Sequence, residues 1–390
     1  MHSAALFSAF LAIGATLVSG ATTCTEDIRV SEPTPKIDCD VVDASILVDE
    51  NVSGSLSIEG PKQIKKDFIV SNATKLISIS SSSINSIGGT LRLDNLQLLS
   101  SFKMQSLKSV DTLILINLPQ LSSLTFGTSG VTKCRVIQIQ DTFLTELNGL
   151  NIAFAEKIDI ANNAKLTMIN SEIVNITESL KVTNNGNNMQ VNMSRLQFAG
   201  DVQFRQVKSF DAPVLTEVES IKFNDSPELL TVSAKNLSTI SASLTFINNR
   251  KLGNLSFDAL KTIKGDMTIQ NNTALKSIEG FPELETVGNI LLRGNFETVK
   301  LPSLKDVKGS VTVTSTSDIS GFCKFFDDSK SRGDIRGKES CTSNNKNANE
   351  DGGNGGESNG DKDKADAAGI VSVNLALLGL AALACIAQML

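Results

Sequence analysis

The sequence predicts an all-β chain, a right-handed parallel β-helix or solenoid built from coils of about 22 residues. Two recurring phrases and one absence point to it. The first phrase is apolar-x-apolar-x-amide, as in Leu91, Leu93 and Asn95. It returns as Leu113-Leu115-Asn117, Ile137-Ile139-Asp141, Ile158-Ile160-Asn162, Leu180-Val182-Asn184, Val202-Phe204-Gln206, Ile221-Phe223-Asp225, Leu244-Phe246-Asn248 and Met267-Ile269-Asn271. Phe68-Val70-Asn72 fits upstream, while Ile290-Leu292-Gly294 and Val311-Val313-Ser315 keep the apolar pair without the amide. The second phrase, Pro-x-Leu-x-x-Val, precedes the strand at Pro213, Pro282 and Pro302. No interval between strands has room for a long amphipathic helix, which argues against a helix-containing leucine-rich horseshoe.

Strand geometry explains the first phrase. Alternate side chains of a strand share a face, so the two apolar residues and the amide of each copy should point the same way. Stacking copies about 4.8 Å apart makes a continuous apolar wall that no single strand could bury. The amide column then reads either as a ladder of side chains bonded up and down the stack or as a turn preference for Asn. Leu107 with Val110 and Leu260 with Ile263 are prolineless versions of the second phrase, giving each coil about three short apolar segments.

Residues 1–20 read as a secretory signal peptide: an apolar run from Ala4 to Val18 ends in small residues, with cleavage near Gly20 or Ala21. Export makes disulfides permissible. Residues 21–40 form an N-terminal cap in which Cys24 and Cys39 bracket a polar segment, and residues 327–341 form a C-terminal cap closed by Cys323 and Cys341. A solenoid needs such closures at its exposed ends. Between them, 41–326 is the solenoid, as one continuous unit or two fused ones. Cys134 precedes a strand and reads as a buried apolar thiol, with an intermolecular disulfide as the other reading.

Asn-x-Ser/Thr sequons occur at Asn51, Asn72, Asn175, Asn192, Asn224, Asn236, Asn254 and Asn271. Asn51, Asn175, Asn192, Asn236 and Asn254 are the preferred acceptors. Asn72 and Asn271 coincide with the amide column, where burial would block them, and Asn224 lies close to Pro227. From 342 to 366 the chain turns rich in Asn, Gly and Asp, the composition of a disordered stalk. The tripeptide Arg332-Gly333-Asp334 is of adhesion type, a pattern that also arises by chance. Residues 367–390 end in an apolar run from Leu375 without a basic tail, which reads as a glycosylphosphatidylinositol (GPI) attachment propeptide, with a permanent transmembrane anchor as the second reading. Asp366 is the expected attachment residue and Asn359 the second choice.

The 390 residues carry a net charge of −6 with no basic cluster, which excludes a nucleic-acid partner. The only histidine, His2, leaves with the signal peptide. That removes histidine-dependent nucleophile systems and His-ligated metal sites, and no phosphate loop or cofactor motif is present. A β-helix enzyme acting on polysaccharides could use carboxylates alone. Its usual sugar platforms, Trp and Tyr, are both absent from the chain.

In order, the secretion signal, the cysteine pair before the first strand, repeats such as Val287-Gly288-Asn289-Ile290-Leu291-Leu292, the second cysteine pair and the lipid signal resemble one family. It is the fungal extracellular-mutant and sporulation-specific family of GPI-anchored cell-wall proteins, from about Cys24 to Leu390. The resemblance implies the receptor L-domain fold, which is leucine-rich-repeat-like, and a role in wall organisation with no catalytic, cofactor or metal residues. It also implies partners in the plasma membrane, through the GPI lipid, and in wall glucan or other wall proteins. The stalk departs from the family's Ser/Thr-rich pattern. Two further functions stand behind wall organisation: a receptor-like adhesin using a flat sheet face, and a polysaccharide-active enzyme.

Overall fold

Each short strand has one apolar edge to hide, and the chain hides it by laying every coil on the one before. The computed structural model describes residues 21–349 as a parallel β-solenoid of about 13 turns. Leu91 lies in register with Leu113, Leu113 with Ile137, and Ile137 with Ile158. The same column continues through Leu180, Val202, Ile221, Leu244, Met267 and Ile290 to Val311. These strands belong to one 20-stranded sheet that includes both Ile28–Val30 and Glu339–Thr342. A bend within the long strands splits the sheet into two walls. In Ser86–Asp94, for example, Ile87 pairs on the first wall and Leu91 and Leu93 on the second, with a register irregularity between.

The third wall is interrupted. Strands Gly54–Ser57, Leu76–Ser81, Ser101–Met104 and Leu124–Phe126 form one small sheet; a second begins at Met168–Asn170 and runs to Asn254–Ser256. The coil between them crosses this wall as a loop through Leu147, Leu150 and Ile152, over an apolar cavity of about 50 Å³ lined also by Ile158 and Ile160. Close stacking dictates residue choice at the bend. A Cβ on Gly288 would come within 2.4 Å of Gly265 O, so only glycine fits.

The amide positions behave differently from what strand alternation predicts. Asn72, Asn95, Asn117, Asp141, Asn162, Asn184, Gln206, Asp225, Asn248 and Asn271 all take left-handed backbone, with φ from 50° to 60°. Asn and Asp tolerate this region best among residues with a Cβ, which accounts for the preference. The left-handed residue turns the chain out of the second wall and breaks the two-residue alternation. Its side chain therefore swings outward at each of these positions except Asn271, which stays buried, and the next residue faces the core. Two short outer ladders form nonetheless. Asn95 Nδ2 donates to Asn72 Oδ1 at 2.7 Å and Asn117 Nδ2 to Asn95 Oδ1 at 3.0 Å; Asn248 Nδ2 donates to Asp225 Oδ1 at 3.0 Å.

The buried ladder stands one residue later. Asn163, Asn185, Asn249 and Asn272 are each under 10% exposed. Asn163 Nδ2 donates to the carbonyls of Ile139 and Ala161, both at 3.0 Å, and Asn249 Nδ2 donates to Phe223 O at 3.0 Å. Asn249 N–H in turn donates to Asn272 Oδ1 at 3.0 Å. These side chains satisfy corner peptide groups that the core would otherwise leave without partners. Beside them, phenylalanines stack along the core: Phe204 on Phe223 at 4.7 Å, Phe223 on Phe246 at 5.3 Å, and Phe257 on Phe281 at 5.3 Å.

Both ends are closed by chain as well as by disulfides. Cys24 is bonded to Cys39, and Thr23–Cys24 pairs in parallel with Val41–Val42, so the first cap residues already lie in the sheet. At the other end Cys323 is bonded to Cys341. A helix, Ser320–Arg332, begins inside the span that reads as solenoid; Asp318 accepts the Ser320 N–H, and Gly333 ends it at φ 87°. The apolar spacing Ile319, Phe322, Cys323 and Phe326 is a helical face that the strand pattern upstream obscures. The ordered body also runs past 341, where the composition suggests the stalk begins. Asn345 N–H donates to Ser315 O at 2.8 Å, and Ala348 is fully buried.

Candidate functional site

One continuous surface that a partner could meet is the outer face of the second wall. Its central column runs in register from Ile69 and Arg92 through Gln138, Lys181 and Lys222 to Thr312. Charges on and beside it are mixed, and some are paired. Arg92 bonds Asp94 at 2.7 Å and Arg205 bonds Asp225 at 2.8 Å. Nearer the bend, Arg135 spans three coils, holding Asp111 through two nitrogens at 2.8 and 2.9 Å and Glu156 at 2.7 Å.

Hydrogen bonds from Lys62, Arg135, Lys300 and Lys305 hold Asp40, Asp111, Glu279 and Glu285 below the ordinary carboxylate range, and the Ser320 N–H does the same for Asp318. Glu339 moves upward, first through burial and then through the negative charge of Asp327. That pair sits where the C-terminal helix meets the last strand. Among the described residues no group of three or more His, Cys, Asp or Glu is placed to hold a metal ion. A groove of about 480 Å³ lies between the helix and the last coil, lined by Val299, Pro302, Ile319, Phe322 and Phe325.

The sequons divide by exposure. Asn51, Asn72, Asn236 and Asn254 are exposed, Asn175, Asn192 and Asn224 half-buried, and Asn271 buried. Asn72 thus escapes the burial expected of the amide column, whereas Asn271, at a similar left-handed φ, is buried as expected. Asn224 alone stands on the second wall's outer face, and its sequon hydroxyl, Ser226, is fully buried. Arg332 and Asp334 bond each other at 2.7 Å across Gly333, so the adhesion-type tripeptide serves as the helix C-cap. Cys134 is 3% exposed and its thiol is pushed up to about 12, chiefly by burial. Asp366, Asn359, the signal peptide and the GPI propeptide lie outside the described residues. The buried asparagines, which alternation misses, do leave a trace: the doublets 162–163, 184–185, 248–249 and 271–272.

Fold and surface together define a capped, disulfide-closed parallel solenoid with a long sheet face of mixed charge. The chain is 31% identical over 304 residues to Protein ecm33 of Aspergillus fumigatus, spanning 78% of this chain and 75% of that one. It is 33% identical over 305 residues to a cell surface GPI-anchored protein of Arthroderma benhamiae, spanning 78% of each. Over 310 residues it is 30% identical to Sporulation-specific protein 2 of Saccharomyces cerevisiae, spanning 78% of this chain and 61% of that one. The chain belongs to this fungal extracellular-mutant and sporulation-specific family of cell-surface and cell-wall proteins. No family model matches it, and no solved structure matches it.

Proposed function

We propose that the protein is a non-enzymatic, GPI-anchored surface glycoprotein that contributes to the organisation and integrity of the fungal cell wall. The observation that carries this reading is family membership over 78% of the chain, joined to a solenoid fold whose long outer face carries mixed charges, some of them ion-paired. A solenoid of this kind, anchored through a lipid, presents a long repetitive surface to wall components. Wall glucan and other wall proteins are the partners this role requires.

A receptor-like adhesin is the second reading, and one observation favours it. The exposed sequons Asn51, Asn72, Asn236 and Asn254 all lie off the second wall's strands, so glycans there would leave that face open to a ligand. Treating intact cells with a GPI-specific phospholipase, then with glucanase, tests the anchoring. Release by phospholipase supports a membrane-held protein, and release by glucanase supports transfer to wall glucan. Resistance to both sinks the GPI reading. Wall fragility on deletion, without loss of cell–cell or ligand binding, separates organisation from adhesion.

A further inference from the structure

Phe154, at 64% exposed, is the most exposed large apolar side chain among the described residues. It is the first residue of the strand Phe154–Ala161 and stands in register with Asn175 on the next coil. Asn175 stands in register with Phe198 on the coil after that. The inward neighbours Ala155, Ile176 and Ala199 are buried, so Phe154, Asn175 and Phe198 project together from the outer side of the first wall. In-register neighbours are about 4.8 Å apart, which places an aromatic ring on each side of the asparagine.

Asn175-Ile176-Thr177 is a sequon. Thr177 and Phe154 line one open groove of about 380 Å³, together with Cys134, Arg135 and Glu156. Asn192, also half-buried, gives its Nδ2 to Asn170 Oδ1 at 2.8 Å, whereas no hydrogen bond holds the Asn175 side chain among the described residues. Two rings flanking one asparagine, Phe154 exposed and Phe198 half-buried, offer apolar faces on which a sugar's axial C–H groups can pack.

We infer that Asn175 carries an N-linked glycan whose innermost N-acetylglucosamine packs between Phe154 and Phe198 and covers the groove beside Cys134. The inference rests on export through a glycosylating pathway. Transfer joins Asn175 Nδ2 to the sugar C1 as the C1–O bond to a lipid-diphosphate donor breaks, with the amide proton passing to the transferase. The glycan thereby becomes part of the fold: it shields a ring that water would otherwise meet.

Full-length protein expressed in a fungal host and released from intact cells with GPI-specific phospholipase or glucanase would be digested and its glycopeptides mapped by mass spectrometry. Thermal melts would then compare wild type with Asn175→Gln, Phe154→Ser and the double variant. Occupied Asn175 is expected, with Asn175→Gln lowering Tm by about 2 °C or more, and by clearly less once Phe154 is Ser. Folded wild type trimmed to one sugar per site should keep its Tm and lose the same margin on complete deglycosylation, which serves if Asn175→Gln is not exported. Asn175 empty while Asn51 and Asn236 are occupied overturns the inference alone. All sequons empty overturns it together with the export on which it rests. Additive effects of the two substitutions also overturn it.

Discussion

Asn185 Oδ1 accepts two hydrogen bonds from Asn163 on the preceding coil, one from its backbone N–H at 3.1 Å and one from its side chain at 2.9 Å. Asn163 Oδ1 in turn accepts from Thr142, at 3.1 Å from the N–H and 2.6 Å from the hydroxyl. One carboxamide thus serves three coils, at a corner where the backbone has left its strand and needs partners. Removing it strands several buried groups at once.

Asn163→Ala should therefore lower unfolding free energy by about 3 kcal/mol, the cost of leaving buried polar groups unpaired. Its neighbour Asn162, exposed and left-handed at φ 58°, should tolerate Gly within about 0.5 kcal/mol. Asn162→Ala should cost about 1 kcal/mol through strain at positive φ. Urea denaturation with an unchanged slope checks all three. Equal costs at 162 and 163 would show that the corner, not the buried amide, governs stability.

Each disulfide closes a short loop at an end of the stack, with cysteines 15 and 18 residues apart. Loop-closure entropy gives about 3 kcal/mol for such a loop. Cys24→Ser and Cys323→Ser should each lose close to that amount, with amide exchange rising first in the adjoining coils. Uniform loosening along the whole rod would contradict the view that each bridge guards its own end.

Glu339 has a folded pKa raised above its unfolded value, first by burial and then by Asp327. The folded state therefore binds its proton more tightly than the unfolded chain. That contribution is fully present below the ordinary glutamate range and is lost as pH rises through the folded value. Glu339→Gln should accordingly stabilise the cap near neutral pH and lose its advantage in acid. Melting curves of both proteins between pH 3 and 8, read as a difference, test the sign; an advantage that grows in acid would refute it.

Cys134 should be inert to thiol reagents in the folded protein, because burial holds the thiol near 12 and leaves almost no thiolate. Its Sγ lies 3.2 Å from Val136 O, inside the wall. Labelling should appear only in denaturant. A disulfide-linked dimer on a non-reducing gel would contradict this.

Much of this architecture is legible in residue order. Leu91-x-Leu93-x-Asn95 and its copies mark where the second wall runs, and Asn at the third position marks the corner, because only a few side chains tolerate left-handed backbone. The cysteine pairs flanking the repeats, Cys24 with Cys39 and Cys323 with Cys341, mark the closures. The residue just past the corner is harder to place. Alternation carried through Asn162 puts that residue inside, yet one left-handed residue shifts the phase and puts Asn163 there. The helix Ser320–Arg332 is masked in the same way, since its apolar spacing comes directly after a strand pattern.

Period, coil path and the positions of the corners are local properties, set by which side chains can sit on a strand or at positive φ, and residue order suffices for them. Pairings between coils are another matter. Asn185 on Asn163, Arg135 on Asp111 and Glu156, and Phe154 beside Asn175 each join residues roughly 20 positions apart. Coil lengths vary, and one coil crosses the third wall without a strand, so the register that brings those residues together exists only once the coils are stacked.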